Sequence, residues 1–251
     1  GYGLPLASAG MVGFTLGVGS VAWWSDKGFE PFNLRDAGFF GRDTYAGGGD
    51  KIGHLYTCYL GVMVMSSAYE KLGASHGRSV LYATLMTLLV SNGVELVDGF
   101  TPFGFEYGDA IANSIGIGIG AAASLYPEVD DVFGMRIGYV PSPKHLKNYR
   151  GKNLVRTYIS WVNDYTGMMI YGDFKLGGIA KNAGLAPGFT RFVLLSGSYG
   201  TGGYSPEEGD ETHRRNVGVH LGLNVPELLA ALDTGDPGYY SGKFLKYFAL
   251  P

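Results

Sequence analysis

Four long stretches of this chain carry almost no charge. Residues 4–24, 79–94 and 110–126 contain no ionisable acid, base or His, and residues 52–69 contain only His54. A helix needs about 17–25 residues to cross the hydrocarbon core of a bilayer, and the four runs fall at that length. Trp23 and Trp24 close the first run, Tyr69 the second and Tyr126 the fourth. Those positions suit aromatic side chains at a membrane–water interface. Small residues recur at helical spacing inside the runs, at Gly13 and Gly17 and again at Gly116 and Gly120. In lipid, helices associate by close backbone approach over such residues. Membrane embedding is therefore expected ahead of a soluble helical bundle or a peripheral arrangement. Residues 4–24 end in two tryptophans rather than a small-residue cleavage site, so they are read as mature structure and not as a leader.

Composition excludes other classes. Of 251 residues, 42 are Gly and only 16% are charged, while 46% are hydrophobic. Disorder needs the opposite balance, and the glycines lack the triplet period of collagen. A net charge of -3 gives no reason to expect nucleic acid. Cys58 is the single cysteine, so no internal disulfide can form.

After residue 133 the periodicity changes to two. Ile170, Gly172, Phe174 and Leu176 alternate with Tyr171, Asp173 and Lys175. Val217, Val219, Leu221, Leu223 and Val225 alternate with Asn216, Gly218, His220, Gly222 and Asn224. Alternation of this kind predicts strands. The glycine-rich segment 197–203 lacks the Lys-Ser/Thr ending of a phosphate-binding loop and reads as a turn between strands. Residues 226–232 read as a short terminal helix. The predicted fold is an α-helical membrane-associated bundle over 1–133, with about four apolar helices, followed by a small β-rich portion over 134–251.

Polar residues within apolar runs are the informative ones. Asp50 and His54 open the second run four apart, with Lys51 between them. Glu95 and Asp98 close the third, three apart, and Asp109 and Asn113 open the fourth, four apart. Each pair shares a helix face. Antiparallel helices on short loops would bring all three pairs to one end of the bundle. Such a cluster could bind a metal, relay protons or act as general acid and base, with His54, Glu95 and Asp98 as catalytic candidates. Alternatively Asp50 and Asp109 are helix N-caps or first-turn acids, Asp98-Gly99 ends a helix, and the cluster ties the bundle together. The common zinc-binding and serine-hydrolase spacings are absent from the sequence, and no metal or cofactor is expected.

The motifs Gly-Asp-Lys-Ile-Gly-His at 49–54, Glu-Leu-Val-Asp-Gly-Phe at 95–100 and Gly-Phe-Glu-Tyr-Gly-Asp-Ala-Ile-Ala-Asn at 104–113 resemble those of the YfiM-like predicted bacterial envelope proteins. Glu106 departs from the Ser common there. Weaker similarity extends over roughly residues 20 to 230, and a more distant one is to VanZ-like membrane proteins. The resemblance implies a Gram-negative envelope protein, exported or lipid-anchored in smaller members, at the outer membrane or periplasmic side, with the inner membrane possible. It brings no activity. The matched positions are Asp50, Lys51, His54, Glu95, Asp98, Asp109 and Asn113. The expected role is a non-catalytic structural, lipid-binding or accessory component, with membrane lipid and other subunits of a membrane assembly as partners. The alternative is an enzyme acting on a lipid or cell-envelope substrate.

Overall fold

In the computed structural model, residues 3–24, 27–41, 44–149, 160–204, 213–232 and 241–249 are described. Helices occupy all four apolar runs: α1 (Gly3–Ala22), α2 (Gly49–Lys71), α3 (His76–Asp98) and α4 (Tyr107–Leu125). The link between α2 and α3 is four residues long and turns through Gly73 at φ +94°. So short a connection forces the two helices to lie antiparallel and adjacent.

Only two of the four, Gly3–Val21 and His76–Asp98, are long and apolar enough to cross a membrane. This corrects the expectation of four such helices. Asp50, Lys51 and His54 in α2, and Asp109 and Asn113 in α4, make those helices too polar. They lie inside instead: α4 packs on α2, and both pack on α3. Gly116 and Gly120 explain the closeness of α2 and α4. A Cβ at Gly116 would collide with the backbone of Leu55, and one at Gly120 would come within 2.9 Å of Tyr59 O. The other small-residue pair behaves differently. A Cβ at Gly13 or Gly17 would meet nothing within 4 Å among the described residues. Helix α1 touches the rest of the fold chiefly at its ends. Ser8 Oγ lies 2.5 Å from Tyr69 Oη, and Trp23 and Trp24 hydrogen-bond to Asn163 and Asp98. The two tryptophans, read from sequence as interfacial, thus serve as tethers.

The C-terminal part is a four-stranded antiparallel meander of β3 (Phe133–Tyr139), β4 (Met168–Lys175), β5 (Val193–Gly202) and β6 (Arg214–Leu223), in that order. The first of these strands was not anticipated. Its glycines interrupt the alternation, and it is recognisable only by its pairing with β4, Ile137 opposite Ile170. The glycine-rich segment 197–203 is also not a turn, since β5 runs on through Gly202. A side chain at Gly200 would crowd Met168 O and the Met169 side chain on β4, so glycine here permits close strand pairing. A short helix follows at Val225–Ala231, and it is not the last element, since residues 241–245 are also helical.

Sheet and helices share a core. Tyr56, Tyr59 and Met63 of α2, Ala123 of α4, and Met135, Ile137 and Ile170 of the sheet form one buried cluster. Cys58, Val62, Tyr69, Ala83 and Ile117 form a second among the helices. A two-residue parallel ladder, β1 (Leu34–Arg35) with β2 (Phe105–Glu106), fixes the chain just before α4.

Candidate functional site: a buried charge cluster

The start of α2 is set by its neighbours. Ala46, Gly47 and Gly48 all take positive φ, at 47°, 58° and 87°. Glycine is needed at position 48 for a second reason, because a Cβ would press on Phe39 O and the Phe40 ring. Tyr199 Oη of β5 donates to Gly47 O at 2.5 Å, tying this turn to the sheet. Asp50 and Lys51 follow in the first turn of α2 and are buried, 3% and 2% exposed.

Lys51 is the centre of the cluster. Its ammonium lies 2.8 Å from Asp50 Oδ2 and 2.9 Å from Asp109 Oδ1, and it also donates to Glu106 Oε1. Burial alone would lower the Lys51 pKa, but Asp109 and Asp50 outweigh it and hold the amine protonated. Burial pushes the Asp50 and Glu106 carboxyls up, against the pull of Lys51. Lys51, which the sequence shows only as a residue between Asp50 and His54, is the hub. Glu106 is the residue that sequence reasoning missed. It was noted only as a departure from a family pattern, although an acid three residues before Asp109 shares its helix-start neighbourhood.

Asp50 and Asp109 do not cap their helices. The N-cap of α2 is Gly48 and that of α4 is Glu106, and neither makes a side-chain capping bond. The acids sit in the first turn, where the helix dipole favours negative charge. Asp98 is the last residue of α3, with Gly99 as C-cap in right-handed conformation. Phe32 packs against the position a Cβ at Gly99 would fill, so a side chain there would have to displace that ring.

His54 lies one turn inside α2, its side chain 32% exposed. Its Nδ1 is 3.1 Å from Asn113 Oδ1 and 3.6 Å from Glu95 Oε1, while Nε2 is 3.8 Å from Asp109 Oδ2. Cys58 Sγ also donates to Asn113 Oδ1, at 3.2 Å. With Asn113 Oδ1 accepting from Cys58, His54 Nδ1 faces it as a second donor, and Asn113 Nδ2 is buried without a hydrogen-bond partner. Desolvation opposes a charge on His54, yet Asp109, Glu95 and Asp50 together raise its pKa above the ordinary value. Asp98 accepts a bond from Trp24 Nε1 at 2.7 Å and feels the charges of His54 and Asp109. The geometry therefore gathers Asp50, Lys51, His54, Glu95, Asp109 and Asn113, adds Glu106, and leaves Asp98 at the edge beside α1.

The arrangement has two halves. Asp50, Glu106 and Asp109 surround the Lys51 ammonium. His54, Glu95 and Asp109 form a second group, each with one possible ligand atom within 4.8 Å of the others. Asp109 belongs to both.

Residues 36–126 match the model of a family described as predicted periplasmic lipoprotein (DUF2279). The match spans every residue of the cluster from Asp50 to Asn113 and excludes α1 and the meander. No curated protein and no solved structure matches the chain. The description agrees with the bacterial cell envelope, on its periplasmic side, as the protein's location. It carries no activity, and the finer likenesses to YfiM-like and VanZ-like proteins are not part of it.

Proposed function

We propose that this chain is a non-catalytic, membrane-associated component of the bacterial envelope, whose buried charge cluster locks three helices into a scaffold. The observation that carries the reading is Lys51. Its ammonium is 2% exposed and is surrounded by three carboxylates of the same chain. Charges so enclosed act on one another and are not presented to a substrate. Lipid is the partner that the surface suits. Leu81, Leu85, Leu88, Leu89 and Leu96 of α3 are exposed, as are Leu6, Phe14 and Leu16 of α1. Exposed apolar stripes of this kind mark membrane or protein contact. They leave room for other subunits of an assembly as well.

The alternative, an enzyme acting on a lipid or envelope substrate, is favoured by one observation. His54 is the member of the cluster that reaches solvent. Two measurements test the readings. The scaffold reading expects the protein to stay in the membrane fraction after salt washing and to require detergent. Recovery as a monodisperse species in plain buffer, without a partner, would overturn it. The scaffold reading also expects His54→Ala to impair function only as far as it lowers stability. Function lost with stability intact would establish the enzyme.

A further inference from the structure

We infer that His54, Glu95 and Asp109 form a binding site for one divalent transition-metal ion, with Asn113 orienting the histidine. The first ground is charge. Asp50, Glu95, Glu106 and Asp109 are each at most 8% exposed, and Lys51 is the single buried cation against them among the described residues. Lys51 forms ion pairs with Asp50, Glu106 and Asp109. Glu95 has no such counter-ion. It is 2% exposed, and its Oε1 has no hydrogen-bond partner, although it points at the His54 ring from 3.6 Å. A buried carboxylate without a compensating charge is costly.

The second ground is the histidine itself. Nδ1–H is committed to Asn113 Oδ1, so in the neutral ring Nε2 carries a lone pair. That lone pair meets Asp109 Oδ2 at 3.8 Å. Two acceptors facing each other repel unless a positive charge lies between them, either a metal ion or a proton on Nε2. Metal-bound histidines commonly donate their other ring N–H to an oxygen acceptor, which fixes the tautomer and the ring plane. Asn113 stands in that place. Cys58 holds the same amide oxygen from behind.

The third ground is size. Nitrogen and oxygen ligands bind zinc at about 2.0–2.2 Å, which places neighbouring ligand atoms about 3–3.5 Å apart. Asp109 Oδ2 stands 3.8 Å from Nε2, and one ligand atom from each of His54, Glu95 and Asp109 lies within 4.8 Å of the others, so the three side chains must contract around the ion. One imidazole and two carboxylates suit zinc, iron(II) or manganese(II). The ion would sit beside Lys51 without using it, so the site stands or falls separately from the scaffold reading.

The test uses the full chain in detergent, stripped with a chelator and then titrated with Zn²⁺ or Co²⁺. One ion per chain by elemental analysis, visible absorption of bound Co²⁺ and a rise in melting temperature are expected. His54→Ala and Glu95→Gln should each weaken binding by more than about 100-fold. Asn113→Ala, which removes only the orienting bond, should weaken it by about 10–100-fold. That variant keeps the test decisive if a ligand variant fails to fold. His220→Ala, in the sheet, should leave the Co²⁺ signal unchanged. Absence of stoichiometric uptake by the native chain would overturn the site and leave a proton on His54 as the compensating charge. Unchanged Co²⁺ absorption in His54→Ala or Asn113→Ala would overturn it equally.

Discussion

Helices α1 and α4 look alike in sequence and differ in the fold. Both are glycine-rich and apolar, and both carry a small-xxx-small pair. Gly116 and Gly120 of α4 lie against the backbone of α2, whereas a Cβ at Gly13 or Gly17 of α1 would meet no described atom within 4 Å. The difference teaches that a glycine pair permits close approach without causing it. Polar residues decide which helix is drawn inward. Asp109 and Asn113 of α4 reach Lys51 and His54 of α2, while α1 has no ionisable side chain and is joined to the edge of the cluster by Trp24, just beyond its end.

The largest way to break this contrast is to remove the hub. Lys51→Met keeps the side-chain length but leaves Asp50, Glu106 and Asp109 uncompensated around a buried methyl. Losing one partner of a buried ion group costs about 3–5 kcal/mol. Denaturant unfolding in detergent should show a loss of that size. Adding Asp109→Asn to Lys51→Met should recover part of it, because one orphaned charge is removed.

Gly116→Leu comes next. The new side chain would have to grow through the carbonyl of Leu55, so α2 and α4 must separate. Overpacking of this kind costs about 1–3 kcal/mol, and more where backbone must move. The same measurement should place it below Lys51→Met and well above any variant in α1.

How much of this was legible in the sequence differs by element. The four helices were visible because apolar runs with few breakers leave little else to form. Which of them are interior was hidden, because Gly116 and Gly13 present the same local pattern and only their neighbours differ. The positions of Asp50, His54, Glu95, Asp109 and Asn113 followed from spacing plus antiparallel connection. Glu106 did not, since it precedes α4 and is positioned by the ladder from Leu34 and Arg35, a pairing that no period reveals. Strand β3 was hidden for a similar reason. Gly134 and Gly138 interrupt its alternation, and its identity rests on partners 29 to 41 residues away.

A smaller effect is expected where α1 meets the cluster. Trp24→Phe keeps the ring and removes the donor to Asp98 Oδ1. Hydrogen bonds to charged groups contribute about 1.5–3 kcal/mol, and Asp98 is only half-buried, so a loss of about 1–1.5 kcal/mol is expected. Because the bond tethers the end of α1, limited proteolysis should also cut near residues 25–30 faster in the variant. Equal cleavage rates would show that other contacts hold α1.

The smallest effect is expected within α1 itself. Gly13→Leu and Gly17→Leu place side chains where no described atom lies within 4 Å, and an exposed substitution usually shifts stability by less than about 0.5 kcal/mol. Replacing Gly by Leu inside a helix also gains intrinsic propensity of about 0.8 kcal/mol. The two variants should therefore unfold with the native chain or slightly after it, in contrast to Gly116→Leu. Their second readout is self-association, followed by sedimentation in detergent. If the face of α1 carrying Gly13 and Gly17 meets lipid, bulky leucines leave the association state unchanged. If it meets another helix outside this chain, they separate the complex while the folded chain keeps its stability. The contrast between α1 and α4 then becomes one between a helix packed within the chain and one packed between chains.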